Sequence, residues 1–337
     1  MSTPEFSNPM GWPEECIPFF QRAISCEYAT LTRDGQPLTY PITPHVGVDG
    51  RTLDVATGLA YPLKAERARN HNKVALLFSE PRGTRLEKPP TILVLGEAQV
   101  CDADLQANTD RYVALSMKKF SAMSRKLPAF MHRRGIWYYA RIWVKVTPQT
   151  IHYWPEGRLD EAPLVWTAPE GTHAGPSDPK PQGKGPGTVF EAPPDPLVGA
   201  RYAAENLGAP VLTLVSDDAY PIPLRMRGAT FDGDSFLIEP PRHLLLEPKG
   251  KACVTFHTHP EVFTSQENLV FTGEARRDGD RIRVSIERQL GSFTLGRSAS
   301  ETLKAAFRQG RQIKKRLAVE AKRRGQPVPK VRLPRDA

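Results

Sequence analysis

The sequence predicts an α+β chain, mainly β, built as two small barrels of which the second is a weaker copy of the first. Three observations predict it. Asp-Gly pairs at Asp34-Gly35, Asp49-Gly50 and Asp232-Gly233 stand between apolar runs. That is a strong hairpin signal, because a left-handed turn position is cheap for Gly and tolerable for Asp. Gly135–Val146 alternates, with Ile136, Tyr138, Ala140, Ile142, Val144 and Val146 on one parity, and reads as a long closing strand. Finally, Leu269–Ala275 (Leu-Val-Phe-Thr-Gly-Glu-Ala) repeats Leu93–Ala98 (Leu-Val-Leu-Gly-Glu-Ala) with one residue added. Earlier in the same order, Thr213-Leu214 leads to Tyr220-Pro221-Ile222 as Thr30-Leu31 leads to Tyr40-Pro41-Ile42, through a hairpin shortened by three residues. Ordered coincidences of this kind indicate duplication.

In order along the chain, residues 1–20 are polar and Pro-bearing and read as an arm, with a short helix at Glu15–Ser25 leading into the first strand. Residues 21–155 form the first barrel: strands at Ala29–Thr32, Leu38–Val48 and Thr52–Thr57, a helix at Pro62–Asn70, and strands at Val74–Ser79 and Thr91–Val100. A helix at Asp104–Phe120 follows, Pro128 stops the next segment, and Ile151–Trp154 extends the closing strand. Residues 156–196 are dense in Pro and Gly and read as an extended, poorly packed linker. Gly183-Lys184-Gly185-Pro186-Gly187 inside it lacks the preceding strand and following helix that a phosphate-cradling loop needs. Residues 197–299 form the second barrel, opened by a helix at Leu197–Asn206, with Ile282, Val284 and Ile286 in one more short strand or helix entry. Residues 300–337 are a basic helix and tail: Leu303, Phe307, Ile313 and Leu317 fall near one face of Ser300–Arg324, and Gly310 interrupts it.

At 337 residues the chain can bury two cores. No apolar run approaches the ~20 residues that span a bilayer, and the N-terminus has no signal-peptide pattern. Cys16, Cys26, Cys101 and Cys253 are scattered, which suits reduced thiols and a cytoplasmic protein. The net charge of +9 belongs to one segment: from Lys304 onward 12 Lys/Arg face Glu320 and Asp336, so the rest of the chain is near neutrality. This tail has three readings: the solvated side of a packed helix, a contact to an anionic ligand, or a nucleic-acid or membrane-surface contact.

The chemistry concentrates at Thr57-Gly58-Leu59-Ala60-Tyr61-Pro62-Leu63-Lys64-Ala65-Glu66-Arg67, where a strand hands over to a helix opened by Pro62. Free N–H groups and the helix dipole favour an anion there. Lys64 and Arg67, one turn apart, add two cations, and Thr57 adds a hydroxyl. A surface helix with solvated cations is the equal alternative. His257 and His259 share a strand face without a third ligand, so no metal is expected. Ser116 and Lys119 match Ser-x-x-Lys without the accompanying penicillin-site elements. Trp137, Tyr138, Tyr139 and Trp143 read as core and interface aromatics.

The opening Ala29-Thr30-Leu31-Thr32 with Gly35 and Pro37, Lys64 before Arg67, Lys73-Val74-Ala75-Leu76 and Gly96-Glu97-Ala98 together resemble the pyridoxamine 5′-phosphate oxidase-like split β-barrel family, which includes flavin- and deazaflavin (F420)-dependent oxidoreductases. The resemblance covers about residues 25–150 well and 208–290 weakly. It implies tandem split barrels forming a pseudo-dimer within one chain, possibly monomeric, with FMN or F420 in the groove between them and a small organic substrate. Carried over, Lys64, Arg67 and Thr57, with Tyr61 beside them, hold the cofactor phosphate. Tyr40 to Thr43 and Ser79 to Arg82 flank the ring system and the partner-side wall. No catalytic residue is implied, since the hydride belongs to the cofactor. FMN leads over F420 because a phosphate-sized basic cluster is visible and a polyglutamate track is not. In the second copy Arg242 replaces Lys64, Leu245 replaces Arg67 and Pro248 would stop a helix early, so one cofactor per chain is expected. The Arg- and Trp-rich C-terminal segment of the B6 oxidase itself has no counterpart here. The rival reading is a non-catalytic or haem-handling barrel.

Overall fold

A computed structural model describes residues 7–120, 129–187, 192–291, 293–295 and 312–333. The first half begins with α1 (Ile17–Arg22) and strands β1 (Cys26–Leu31), β2 (Pro37–Ile42), β3 (Pro44–Val46) and β4 (Leu53–Gly58). It continues through α2 (Leu63–Asn70), β5 (Lys73–Phe78), β6 (Thr91–Cys101), α3 (Leu105–Lys119), α4 (Ala129–Arg134), α5 (Ile136–Tyr139), β7 (Arg141–Trp154) and β8 (Leu164–Thr167). The second half comprises α6 (Pro196–Asn206), β9 (Val211–Val215), β10 (Pro221–Arg225), β11 (Gly228–Asp232), β12 (Ser235–Glu239), β13 (Lys249–Thr258), β14 (Gln266–Asp278), β15 (Arg281–Gln289) and β16 (Phe293–Leu295). A final helix, α7, spans 312–323.

The strands form two antiparallel sheets, ordered β2-β1-β5-β6-β7-β4-β3 and β10-β9-β13-β14-β15-β12-β11. Each position in one order has its counterpart in the other. Both sheets carry a bulge immediately before a glycine, at Leu95/Gly96 and at Thr272/Gly273. A Cβ on Gly273 would stand 1.8 Å from the Ser285 carbonyl oxygen, and one on Gly96 2.7 Å from that of Thr147, so both bends require glycine. The architecture is two split barrels in tandem.

The strands joining the halves read as continuous apolar runs because both faces are covered. Tyr28, Val74, Leu76, Phe78, Ile92 and Val94 point into the first core, while the alternate residues Ala29, Ala75, Leu77 and Leu93 join the second. Contacts between the sheets are reciprocal: β2 packs on β9, β13 and β14, and β10 packs on β1, β5 and β6. That exchange is what a twofold interface makes between identical subunits. Polar bonds fix its register. The Thr39 and Thr213 hydroxyls lie 2.6 Å apart, Thr255 donates to the Thr39 carbonyl at 3.0 Å, and Gln36 donates to the Ala252 carbonyl at 2.8 Å.

Several expectations change on the folded chain. The described part of the expected N-terminal arm, from residue 7, is packed: Trp12, Phe19 and Phe20 are fully buried in the first core. The alternation expected to make Gly135–Val146 one strand breaks, because Ile136–Tyr139 closes a helical turn and β7 begins at Arg141. The long Leu38–Val48 strand divides at Thr43 into β2 and β3. The Pro/Gly-rich stretch is a docked strap rather than a loose linker. Leu164–Thr167 pairs with β7, Asp178 Oδ2 accepts from the Asp102 and Ala103 amides, and Ser177 Oγ accepts from the Val100 amide. Its Gly183–Gly187 portion presents carbonyls to cations: Arg316 donates to Pro186 and Gly187, and Arg323 donates to Gln182 and Gly183. That polarity is opposite to a phosphate cradle.

The expected helix Ser300–Arg324 lies outside the described residues up to 311, including Leu303, Phe307 and Gly310. Its described part, α7, returns to the first half, where Ile313, Leu317 and Ala321 complete the first core. Its arginines are committed. Arg316 donates to the Ala60 carbonyl, and Arg324 reaches Asp102, Glu66 and Glu320 while only 3% exposed. The repeat register also shifts. Loops 32–36 and 216–220 are the same length, so Pro221-Ile222 match Pro37-Leu38 and Leu224 matches Tyr40. Gly35 (φ +77°) and Ala219 (φ +61°) occupy the same turn position.

Among the described residues, no helix is long and apolar enough to cross a membrane.

Candidate functional site

Strand β4 ends at Gly58, and Pro62 opens α2 without a side-chain cap, so the first turn of the helix leaves N–H groups unclaimed by side chains. One turn in, Lys64 and Arg67 lean over the same ring: Lys64 Nζ is 4.6 Å and the Arg67 guanidinium carbon 5.8 Å from the centre of Tyr40. Tyr40 stands opposite Tyr28 across the β1–β2 pair. Arg67 Nε donates to Thr30 Oγ1 at 2.8 Å, while its Nη2 is buried without a partner. The Tyr28 hydroxyl and Thr57 Oγ1 are likewise buried and unpartnered. A third cation, Arg141, enters from the first position of β7 opposite Gly58. A Cβ on Gly58 would meet the Tyr61 ring at 3.1 Å and Arg141 Nη1 at 3.4 Å, so glycine leaves the room these groups share.

What sets this groove apart is missing compensation. Arg69, on the same helix, reaches Asp102 and Glu66, and Arg111 reaches Asp54 at 2.8 Å. Lys64, Arg67 and Arg141 contact no carboxylate among the described residues. The electrostatic result is visible at Lys64, whose ammonium is pushed down to about 7 by burial first and then by Arg67 and Arg141. Burial likewise lowers the Arg67 guanidinium. The same burial raises the Tyr40 phenol, an effect moderated by Arg67 and by Arg288 of the second sheet. Holding desolvated cations together without counter-ions is costly, and an anion arriving from solution removes that cost.

The structure therefore brings together Lys64, Arg67, Tyr40 and Tyr61 of the sequence-derived set. It separates the others. Thr57 shares a strand face with Leu53 and Val55, which line the first core, and no described contact joins it to Lys64 or Arg67. Thr43, between β2 and β3, is half-buried with no described polar contact. Ser79 belongs to a buried cluster between the sheets, where Glu27 Oε1 accepts from Ser79 Oγ at 2.9 Å and Arg225 Nη2 at 2.5 Å and lies 2.7 Å from His257 Nε2. Arg82 pairs with Glu80 and donates to Thr258 Oγ1 and the His259 carbonyl. His257 and His259 thus face the first sheet as interface groups, the latter 3.1 Å from Ser25 Oγ.

Sequence reasoning missed Tyr28, Thr30 and Arg141. The first two alternate on β1 toward the α2 side, a signal present in the strand pattern. Arg141 was hidden in a polar position of the mistaken long strand.

Register matching gives the second half's version of each position. Leu212 stands for Tyr28, Leu214 for Thr30, Leu224 for Tyr40 and Pro240 for Thr57. No helix forms between β12 and β13, so nothing replaces α2, and Arg242 lies exposed with its amide on Asp160. Leu244, Leu245 and Leu246 pack against the second core instead. The groove is built once.

No family model and no curated protein matches the chain. Solved structures do. General Stress Protein 26 from Bacillus anthracis is 17% identical, over 46% of this chain and 96% of that one, with a TM-score of 0.30. An F420 reductase is 17% identical, over 41% of this chain and 97% of that one, with a TM-score of 0.30. A pyridoxamine 5′-phosphate oxidase-related, FMN binding protein from Nostoc punctiforme is 13% identical, over 43% of this chain and 84% of that one, with a TM-score of 0.32. Each is a similarity to about half of the chain.

Proposed function

We propose that the chain is a flavin- or deazaflavin-dependent oxidoreductase, FMN before F420, acting on a small organic substrate in the groove between its two barrels. The carrying observation is the row Arg67, Lys64 and Arg141, half-buried and without a carboxylate contact among the described residues, its first two members set against Tyr40 at the start of α2. A phosphate monoester fits that donor set: it is a dianion with three acceptor oxygens, and Lys64, the unpartnered Arg67 Nη2 and the opening N–H groups of α2 would hold it. Tyr40 and Tyr28 would then border the body of the cofactor on the side facing Cys253 and Arg288 of the second sheet. FMN is favoured over F420 because the Lys64 and Arg67 pair is phosphate-sized and, among the described residues, no longer basic track leads from it.

When bound, FMN or F420 supplies hydride transfer. The protein's own part is to fix the phosphate, exclude water by the apposition of β2 on β13 and β14, and set the charge around the ring system. No side chain is required as an acid–base pair.

The reciprocal packing of β2 on the second sheet and of β10 on the first supplies within one polypeptide what a homodimer would supply from two, so the working unit is a monomer in the cytoplasm, where Cys16, Cys26 and Cys253 stay buried and reduced. The test is titration of the purified chain with FMN and F420 side by side, followed by absorbance and calorimetry. FMN saturating at one per chain supports the proposal. Binding of neither, or a Soret band in the purified protein, overturns it in favour of a ligand-holding or haem-handling barrel.

A further inference from the structure

The row of cations carries more charge than a phosphate monoester neutralises. Lys64 is the middle member: both neighbours depress its ammonium, whereas Arg67 leans toward Tyr28, Thr30 and Cys253, and Arg141 leans the other way, toward α3 and α5. Arg141 lies 4.1 Å over the Tyr112 ring and 4.8 Å over the Tyr138 ring and donates Nη2 to the Tyr112 hydroxyl at 3.0 Å. Those contacts stabilise the cation without neutralising it, and its Nε remains buried and unpartnered. Beside it His45 stacks on Trp143 at 5.5 Å and turns its edge to Tyr112, and His45 Nε2 is buried without a partner. Other inward-facing arginines of this half, Arg69, Arg111, Arg316 and Arg324, each end on a carboxylate or a carbonyl. A guanidinium left this way in a half-buried place is costly unless something supplies the anion.

We propose that Arg141 is the anchor of a second anion subsite, separate from the phosphate contacts of Lys64 and Arg67, and that it binds the carboxylate of the substrate. The inference rests on the oxidoreductase reading and names its substrate class, small carboxylic acids. A carboxylate is the match because one negative charge completes the balance left by a phosphate dianion against three cations. Its two oxygens also suit an arginine fork with a free Nε. Tyr112 and Tyr138 preorganise the guanidinium, so little is lost in fixing it, and the aromatic surroundings accept an apolar substrate body. His45, held neutral by burial with a pKa of about 3, adds no competing charge.

The test compares benzoate with its neutral isostere benzamide on the FMN-loaded full chain, read by the flavin difference spectrum. Wild-type protein is expected to bind benzoate at least tenfold tighter than benzamide. Arg141→Gln should abolish that preference while weakening FMN binding far less than Lys64→Met does, and Arg141→Lys should restore part of it. Equal binding of the two probes by the wild type overturns the proposal, as does a preference that survives R141Q. Loss of FMN binding in R141Q to the same extent as in Lys64→Met overturns it too, by assigning Arg141 to the phosphate. If the wild-type chain takes up neither FMN nor F420, the oxidoreductase reading fails first. The same pair of probes, read on the FMN-free chain by tryptophan fluorescence from Trp143, then tests the subsite alone.

Discussion

Lys64 gives the sharpest quantitative prediction. Its ammonium lies at about 7 in the free protein, against an ordinary 10.5, because burial, Arg67 and Arg141 all disfavour the charged form. A bound phosphate dianion reverses that preference, so above pH 7 FMN binding takes up one proton. Each pH unit then costs about 1.4 kcal/mol, or a factor of ten in affinity. The phosphate itself is already a dianion in this range, since its second pKa is about 6. FMN affinity, measured by calorimetry or flavin fluorescence quenching, should therefore fall about a hundredfold from pH 7.5 to 9.5. Lys64→Met should be flat over the same range and about 10–100-fold weaker at pH 7, the worth of a charged hydrogen bond, with the two curves meeting near the alkaline end. The free protein shows the converse. The unfolded chain holds a proton that the fold does not, so stability rises as pH climbs from about 7 toward 10.5. Lys119, lowered to about 8 by burial and bonded to the Pro44 carbonyl, is the control: Lys119→Met should leave the FMN slope intact. A pH-independent wild type, or the same slope in K64M, refutes the reasoning.

Other predictions concern the frame of the groove. Ala219 holds a left-handed turn (φ +61°) that Gly35 holds in the first half, so Ala219→Gly should stabilise and Gly35→Ala destabilise by about 1 kcal/mol each, read from denaturant midpoints. Glu27→Gln should cost about 3–5 kcal/mol, because it leaves Arg225 without its buried partner; a loss below 1 kcal/mol would show the cluster to be solvated. Burial alone would raise the Glu27 carboxyl, yet Arg225, His257 and Ser79 outweigh it and leave it lowered. Its contribution is thus complete above the ordinary 4.5 and is lost as pH falls through the folded value, a loss that E27Q removes from the acid unfolding curve. Leu317→Ala, at a 1% exposed position in the first core, should cost about 2–5 kcal/mol, whereas a helix lying loosely on the surface would lose little.

Local patterns revealed the hairpins, the strands and the opening of α2, because turn chemistry and side-chain alternation are carried by neighbouring residues. Lys64 and Arg67 came together for that reason, since they lie one helical turn apart, and both lean over the ring of Tyr40. What local pattern could not show was long-range. Ile136–Tyr139 keeps the parity of a strand yet closes into a turn, and that turn brings Tyr138 onto Arg141. The strap's Pro and Gly content reads as a poorly packed linker, but its carbonyls accept from Gln99, Arg316 and Arg323 and its Asp178 carboxylate accepts from the Asp102 amide, residues far away in sequence. Tyr220-Pro221-Ile222 resembles Tyr40-Pro41-Ile42 by chance, and only strand pairing shows that Leu224 is the true counterpart of Tyr40.

The duplicated architecture raises the question of why one half keeps a charged groove and the other does not. A twofold arrangement places two equivalent grooves at the interface, each formed by one barrel's β1, β2 and helix against the other's β13-type strand. In the second groove the positions of Tyr28, Thr30 and Tyr40 are apolar, as Leu212, Leu214 and Leu224, and no helix forms where the cations would be carried. In a homodimer such changes would erase both sites together, since each subunit supplies both sides. Joining the barrels in one chain frees them to diverge, and the emptied groove becomes a source of stability: leucines fill it and bury apolar surface at about 25 cal/mol per Å². That burial needs no ligand, whereas under the proposed function the cations of the first groove, held by Thr30 and by tyrosine rings, gain their counter-charge only when an anion binds. Restoring polarity to the second groove, as in Leu224→Tyr, should therefore destabilise the protein without creating a second FMN site. A stoichiometry rising above one would show that side-chain identity alone, and not the lost helix, had silenced it.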